Sequence, residues 1–167
     1  MRFKHGIAVA GTHGKTTIST MLTHILKQNN IDCTSFLGGI SNNYNSNFIL
    51  GKSKYMVIEA DEFDRSFLSL SPKIILISSL DRDHSDTYST YSDMCNAYLK
   101  FIKNNEPNLS CLIVHQCLNL DLNDKIKTVN YSLNKESNYT LKFKKIGNNE
   151  LTISLLKFDK KQNLLFK

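Results

Sequence analysis

The sequence lacks any segment that is long and apolar enough to span a bilayer. Residues 1–5 are also not followed by an apolar stretch of the length that a signal peptide requires. These two absences argue against a membrane-spanning protein and against a conventionally secreted one. We therefore predict a cytoplasmic protein that has no membrane partner.

A CxxC pair is also missing, although the chain contains four cysteines, Cys33, Cys95, Cys111 and Cys117. Cys111, His115 and Cys117 lie close together in the sequence, but their spacing fits no common zinc site. We expect reduced, partly buried thiols, which are the ordinary state of cysteine in the cytosol.

The chain has no basic stripe. Its 21 Lys and Arg residues outnumber 15 Asp and Glu residues, but the lysines are scattered rather than clustered. The formal net charge of +6 fits either a solvated surface or a phosphate-rich ligand. Because a nucleic-acid motif is lacking as well, we predict no nucleic-acid partner. A length of 167 residues, 41% of them hydrophobic, is sufficient for one domain with its own core.

Short apolar runs are separated by polar segments along most of the chain. The runs that predict buried strands are residues 6–10, 33–37, 55–60, 73–79 and 109–114. Residues 38–52 are rich in Gly, Asn and Ser and predict a loop. The runs that predict a C-terminal antiparallel hairpin are residues 139–146 and 151–158, with residues 164–166 as a further partner.

Two segments have the spacing of an amphipathic helix. The first begins at Thr16 and fades at residues 28–30, and its apolar residues are Ile18, Met21, Leu22, Ile25 and Leu26. The second begins at a capping box of Thr90 and Asp93, and its apolar residues are Met94, Ala97, Tyr98, Phe101 and Ile102. Alternating strands and helices predict an α/β fold with a mostly parallel P-loop-type sheet and helices on both faces. An antiparallel hairpin region completes this prediction at the C-terminal end.

The turn between the first strand and the first helix has the composition of a phosphate-binding loop. The candidate nucleotide-binding residues are Gly11, Thr12, His13, Gly14, Lys15, Thr16 and Thr17. Backbone N–H groups of such a turn and the positive end of a helix together bind phosphate. Lys15 can reach the β- and γ-phosphates, and the Thr16 hydroxyl can join the ligands of a Mg²⁺ ion. Val9 stands where the common pattern has glycine, so this loop is a shorter variant.

Acidic side chains follow two other predicted strands. The third strand carries Glu59 near its end and is followed by Asp61, Glu62 and Asp64, and the residues after the fourth are Asp81, Asp83, His84 and Asp86. Ligands bind at the carboxyl ends of strands in such a sheet, and Mg²⁺ prefers carboxylate, water and phosphate oxygens. Glu59 is therefore a candidate Mg²⁺ ligand. Solvated strand-end loops remain the alternative for the acidic residues as a group.

Three motifs occur in a specific order and spacing. They are GTHGKTT at residues 11–17, EADEFD at residues 59–64 and DRDHSDTY at residues 81–88. Together they resemble the Mur ligase family, and the resemblance runs from about residue 1 to residue 131. The third motif and the SFL stretch at residues 66–68 favour the branch that joins L-alanine to UDP-N-acetylmuramate. The alternative is the branch that attaches a recycled tripeptide to the same sugar nucleotide.

The resemblance implies an ATP-dependent amide ligase of peptidoglycan precursor synthesis that uses ATP and Mg²⁺. The carboxylate of UDP-N-acetylmuramate would form an acyl phosphate, from which the amine of L-alanine would displace phosphate. The resemblance implies Lys15, Glu59 and His84 as catalytic residues, and Thr16, Glu59 and His84 as metal ligands. We expect Glu59 and His84 on adjacent strand ends beside Lys15, where they could share one Mg²⁺ ion.

The resemblance also implies a place within a longer enzyme. Residues 1–167 correspond to the central ATP-binding domain, incomplete at its C-terminal end, without the N-terminal UDP-binding domain or the C-terminal domain. We therefore expect no product from the chain alone. Two alternatives stay open. One is a non-catalytic ATP-binding remnant of a split or decaying ligase, docked to separately encoded ligase domains. The other is an unrelated P-loop switch or ATPase.

Overall fold

The computed structural model describes residues 5–81, 87–116, 118, 120, 122–133, 137–146, 150–157 and 160–166, with the backbone alone from residue 141 onward. The strands are β1 (His5–Ala10), β2 (Thr34–Ser41), β3 (Ser46–Ile49), β4 (Tyr55–Glu59), β5 (Ile74–Ile77), β6 (Cys111–His115), β7 (Thr128–Leu133), β8 (Tyr139–Ile146), β9 (Glu150–Lys157) and β10 (Lys160–Phe166). The helices are α1 (Lys15–Gln28), α2 (Tyr91–Asn105) and two short 3₁₀ helices at Ser66–Ser69 and Glu106–Asn108. Among the described residues, no helix has the length and hydropathy needed to cross a membrane.

The described strands form one sheet in the order β10-β9-β8-β7-β6-β5-β1-β4-β2-β3. The seven strands from β8 through β1 to β2 pair in parallel. The outer strands β3, β9 and β10 pair antiparallel to their neighbours. The predicted fold class, a mostly parallel sheet with a C-terminal antiparallel region, is therefore confirmed.

The two helices cover opposite faces of the central strands. In β1, Ala8 and Ala10 belong to a core that includes the apolar side of α2. Val9 points the other way, into a smaller core where Leu22 and Leu26 of α1 pack. Successive side chains of a strand point to opposite faces, so this alternation places one helix on each side.

The buried face of α2 is the one that its sequence predicts. The Thr90 hydroxyl accepts a hydrogen bond from the Asp93 backbone N–H at 3.0 Å, which caps the helix. All five predicted apolar residues are buried, namely Met94, Ala97, Tyr98, Phe101 and Ile102. The ring of Phe67, from the first 3₁₀ helix, lies 5.3 Å from Tyr98 and 5.0 Å from Phe101, measured between ring centroids.

The predicted buried face of α1 is wrong in part. Met21 and Ile25 are 57% and 53% exposed, whereas Ser19 and Thr23 are fully buried. The Thr23 hydroxyl donates to the Ser19 carbonyl at 2.8 Å and forms a hydrogen bond with the Ser35 hydroxyl of β2 at 2.9 Å. Small hydroxyl side chains with satisfied hydrogen bonds can therefore face the sheet. For this reason the spacing of apolar residues alone does not predict the buried face of α1 correctly.

Two further sequence predictions need correction. Residues 38–52 are not one loop, because β2 continues through Gly38 and Gly39 to Ser41 and then pairs with β3. β7 was not predicted at all, although it extends the parallel sheet between β6 and β8. Its sequence, TVNYSL, alternates polar and apolar residues without forming an apolar run.

The α1 side of the sheet is uncovered beyond β5 in the part of the chain that the structure describes. An apolar depression of about 500 Å³ lies there, lined by Ile18, Leu76, Ile113, Val129, Tyr131 and Tyr139. The prediction of helices on both faces therefore applies to the strands around β1, which are the strands that position the phosphate loop.

Candidate functional site

The phosphate loop occupies the turn from β1 into α1. Gly11 and Gly14 have φ angles of 123° and 81°, which glycine adopts without the strain of a side chain. Gly14 is the residue that precedes the first turn of α1, and no side chain caps this helix start. The first turn also contains no acidic residue. The positive end of the helix dipole is thus open toward the loop.

The start of α1 offers hydrogen-bond donors to an anion. The first intrahelical bond runs from the Ile18 N–H to the Gly14 carbonyl at 2.9 Å. By helix geometry, the N–H groups of Lys15, Thr16 and Thr17 have no acceptor within the helix. A phosphate at the end of α1 would satisfy these donors and interact with the dipole at the same time.

The first half of the loop is fixed to the end of β5. The Thr12 N–H donates to the Ser79 carbonyl at 3.0 Å, and the Thr12 and Ser79 hydroxyls are 2.9 Å apart. The Asp81 N–H donates to the Thr12 hydroxyl at 2.9 Å, and the His13 N–H donates to the Ser79 hydroxyl at 3.1 Å. Because these groups are already engaged, Thr12 serves to hold the shape of the loop. The exposed His13 ring lies 3.7 Å from the Asp81 carboxylate.

Lys15 curls back over the loop. Its ammonium donates to the Gly11 carbonyl at 2.9 Å and to Oε1 of Glu62 at 2.8 Å. The Lys15 side chain is 12% exposed and that of Glu62 is completely buried. The lysine is therefore held within the loop by an ion pair that is largely shielded from water.

Glu59 lies beside the start of α1. It ends β4, pairs in register with Val9 of β1, and accepts a hydrogen bond from the Thr16 hydroxyl at 2.9 Å. Its other oxygen accepts from the Gly38 N–H at 2.7 Å and from the Ser19 hydroxyl at 3.4 Å. The carboxylate is thus oriented by two strands and one helix.

Thr16 and Glu59 fit a Mg²⁺ ion. Neighbouring ligands of an octahedral Mg²⁺ with bonds of about 2.1 Å lie about 3 Å apart, which is the separation of these two oxygens. The described residues contain no group of three or more His, Cys, Asp or Glu side chains that could hold a metal. One carboxylate and one hydroxyl, completed by water and phosphate, is the arrangement that Mg²⁺ favours over a cage of protein ligands.

A cleft of about 350 Å³ opens beside Thr16, between α1 and the turn after β2. Its lining residues are Thr16, Thr17, Thr20, Met21, Ile40, Ser41, Asn42 and Asn43. The lining combines hydroxyl and amide groups with two apolar side chains. The cleft offers space for a polar ligand immediately next to the candidate Mg²⁺ site.

The structure joins the Thr16 hydroxyl to the Glu59 carboxylate and places Lys15 as the first residue of α1, and the roles predicted for these residues stay predictions. His84 lies outside the described residues, so its predicted role stays a prediction. The expectation that Glu59 and His84 follow adjacent strands is wrong, because β1 lies between β4 and β5.

Three acidic residues after β4 have separate functions in the structure. Asp61 and Asp64 accept hydrogen bonds from the N–H groups of Phe63 and Ser66, at 3.1 and 2.8 Å. The hydroxyl and N–H of Ser66 together lower the pKa of Asp64. Glu62 contacts Lys15, although the sequence analysis assigns it no individual role. A completely buried carboxylate cannot be recognised from the sequence of an acidic stretch.

Residues 9–166 match the Mur ligase middle domain family. The chain belongs to this family. Its central parallel strands, its phosphate loop and the carboxylate at the end of β4 are the parts of the fold that carry the candidate site.

Named relatives point to one branch of the family. The chain is 45% identical over 149 residues to the UDP-N-acetylmuramate–L-alanine ligase of Phocaeicola vulgatus, covering 87% of this chain and 32% of the relative. The crystal structure of UDP-N-acetylmuramate–alanine ligase from Thermotoga maritima is similar, with a TM-score of 0.78 and 27% identity over 97% of this chain and 36% of that one. MurF ligase from the same organism in complex with ADP shares the fold, with a TM-score of 0.77 and 17% identity over 97% of this chain and 40% of that one. The chain spans about a third of the length of the curated relative that it matches.

Proposed function

We propose that the chain carries the ATP and Mg²⁺ site of an ATP-dependent carboxylate–amine ligase. The complete enzyme would join L-alanine to UDP-N-acetylmuramate in cytoplasmic peptidoglycan precursor synthesis. The observation that carries this proposal is the contact of Thr16 with Glu59 at the open end of α1, where Lys15 is the first helical residue. The names of the relatives at 45% identity and of the solved structure at 27% identity support the choice of substrates.

In the proposed reaction, an oxygen of the UDP-N-acetylmuramate carboxylate attacks the γ-phosphorus of ATP. The bond to the β-phosphate oxygen breaks, ADP leaves and an acyl phosphate forms. The amine of L-alanine then attacks the acyl carbon, phosphate leaves, and the nitrogen loses a proton to give the amide. Catalysis of such transfers depends mainly on positioning and on stabilising negative charge.

The residues of this chain would supply both effects. N–H groups at the start of α1 would hold phosphate oxygens, and Lys15 would donate its remaining ammonium proton to them. Thr16 and Glu59 would hold Mg²⁺, which supplies charge neutralisation on the phosphates when bound. By resemblance to the family, Glu59 and His84 would hold a second Mg²⁺ near the transferred phosphoryl group. The cleft beside Thr16 would admit the acceptor carboxylate.

Nucleotide binding by the purified chain tests the proposal. We expect calorimetry to detect weak binding of ATP with Mg²⁺, and we expect Lys15→Met to reduce the affinity by at least about tenfold, because a charged hydrogen bond is lost. Lys27→Met is the matched control, since Lys27 lies at the other end of α1 and pairs with Asp32. Equal binding by the wild type and Lys15→Met would refute the assignment of the phosphate loop. Absence of any nucleotide binding would contradict the proposal that this chain carries an ATP site.

A further inference from the structure

The partner of the phosphate-loop lysine is a carboxylate with no access to water. The Glu62 side chain is 0% exposed, and its Oε1 lies 2.8 Å from the Lys15 ammonium. A buried carboxylate is stable in its charged form only when a cation and hydrogen bonds compensate it. In this structure, the charge of Lys15 is therefore compensated by a carboxylate of the protein itself.

Glu62 is held firmly where it meets the lysine. Its backbone carbonyl accepts from the Tyr88 hydroxyl at 2.8 Å and from the Arg65 N–H at 3.1 Å. Tyr98 of α2 lies close to the carboxylate, and burial together with the charge of Glu62 raises the pKa of Tyr98. The carboxylate is thus enclosed between the loop after β4 and α2, and Lys15 must come to it.

We propose that Glu62 is a specificity-determining residue, the fixed counter-ion that cancels the charge of Lys15 and makes the loop select Mg²⁺-complexed nucleotide over free polyphosphate. This inference rests on the proposed function, because it concerns the same phosphate loop. Glu62 does not contact the nucleotide in this proposal but acts on it through Lys15 and through its own field.

The number of ammonium protons explains how the ion pair and a phosphate can coexist. An ammonium group has three donors, and Lys15 uses two of them for the Gly11 carbonyl and Glu62. The third donor is sufficient for one phosphate oxygen. Leaving Glu62 entirely would remove the cation that compensates a buried carboxylate, which is costly, so Lys15 remains attached and bridges the two anions.

Charge then determines which ligand the loop prefers. With Lys15 neutralised by Glu62, the net attraction for phosphate comes from N–H groups and the dipole of α1. Repulsion by Glu62 grows with the negative charge of the ligand. Free ATP carries about four negative charges near neutral pH, whereas its Mg²⁺ complex carries about two. Glu62 therefore penalises the free nucleotide more than the complex.

The test compares dissociation constants for free ATP, with a chelator present, and for ATP with Mg²⁺, at constant ionic strength. We expect Glu62→Gln to bind free ATP about tenfold more tightly, because a nearby negative charge is removed in a poorly solvated site. The gain for the Mg²⁺ complex should be no more than about threefold, since that ligand carries less charge. Asp61→Asn is the control, because it removes the same charge from an exposed neighbour that Lys15 does not contact.

A gain in affinity separates this role from a merely structural one, since a damaged loop would bind both ligands more weakly. A second readout tests whether Glu62→Gln restores binding to the Lys15→Met variant. This readout does not depend on the stability of the Glu62→Gln variant alone. Lys15→Met strands the buried carboxylate, whereas Lys15→Met/Glu62→Gln removes both charges. We expect the double variant to bind free ATP at least about tenfold better than the single Lys15→Met variant.

A folded Glu62→Gln protein with unchanged or weaker affinity for free ATP would overturn the inference. So would a double variant that binds no better than Lys15→Met while Lys15→Met itself shows the expected loss, and the proposed function would then stand. If Lys15→Met bound nucleotide as the wild type does, the phosphate-loop assignment itself would fail and the inference with it.

Discussion

The Thr16 hydroxyl donates a hydrogen bond to Oε1 of Glu59 over 2.9 Å, joining the first turn of α1 to the end of β4. These two residues are 43 positions apart in the sequence, and the parallel pairing of β1 with β4 brings them together. Binding of Mg²⁺ between them requires the hydroxyl to turn its proton away and to present a lone pair. The hydrogen bond holds both oxygens at about the separation that neighbouring ligands of the ion need.

The first prediction concerns the charge of Glu59. Glu59→Gln keeps the size of the side chain and an oxygen that can accept from Thr16 or Gly38, but it removes the charge that Mg²⁺ requires. We expect the Mg²⁺ concentration for half-maximal ATP binding to rise by at least about tenfold, as for loss of a group that supports a metal site. Titration with Mg²⁺ at fixed ATP measures this change.

Glu106→Gln is the matched control for that experiment. Glu106 follows α2 and lies toward the amino ends of the parallel strands, whereas Glu59 lies at the carboxyl end of β4. The neighbouring Asn108 contacts Lys73, the residue before β5. The same substitution there should leave the Mg²⁺ requirement unchanged. An unchanged requirement in Glu59→Gln would show that Glu59 is not a ligand.

The second prediction uses two neighbouring glycines. A Cβ atom on Gly38 would run into the carboxylate of Glu59, whereas a Cβ on Gly39 would meet Cγ2 of Thr16 at an ordinary 3.5 Å. The carboxylate is the flexible end of its side chain, so it can shift at little cost in stability. We expect Gly38→Ala to weaken Mg²⁺-dependent ATP binding with little change in melting temperature. Gly39→Ala should bind as the wild type does, and equal behaviour of the two variants would contradict the prediction.

How far the sequence predicts the fold depends on what each element buries. α2 buries large apolar residues at helical spacing, so both its cap at Thr90 and its buried face could be predicted. α1 instead buries Ser19 and Thr23, whose hydroxyls find acceptors within the helix and in β2. Polar residues normally mark the exposed side of a helix. The periodicity of α1 therefore predicts the helix correctly but predicts the wrong buried face.

The features of the candidate site also fall into those that the sequence predicts and those that it does not. The turn between β1 and α1 and the position of Glu59 at the end of β4 could be predicted, because motif and strand-end position depend on local sequence. The pairing of Lys15 with Glu62 could not, because it depends on a carboxylate being enclosed by α2, which lies much later in the chain. Gly38 falls in the predicted loop, since its contact with Glu59 depends on the approach of another strand.

The third prediction concerns stability. Phe67 is 1% exposed and packs against Tyr98 and Phe101, whereas Phe63, four residues earlier, is 53% exposed. We expect Phe67→Ala to lower the free energy of unfolding by about 3–5 kcal/mol, from lost burial and the cavity left behind. Phe63→Ala should change it by no more than about 0.5 kcal/mol. Urea unfolding followed by circular dichroism compares the two, and similar losses would show that the core around α2 is wrongly placed.

The fourth prediction concerns His84, which lies outside the described residues. Because β4 and β5 flank β1, their backbones are two strand spacings apart, about 9.6 Å. A glutamate and a histidine side chain that extend toward each other can still reach a common metal across that distance. We therefore expect Mn²⁺, used in place of Mg²⁺ with inorganic tripolyphosphate, to show nitrogen coupling from an imidazole in pulsed electron paramagnetic resonance. The coupling should disappear in His84→Asn and persist in His5→Asn. His5 is the first residue of β1 and therefore lies at the end of that strand that is remote from the phosphate loop. Coupling that survives His84→Asn would come from another nitrogen ligand, and absence of coupling from the wild type would leave Thr16 and Glu59 as the protein ligands. Either result would remove His84 from the proposed mechanism.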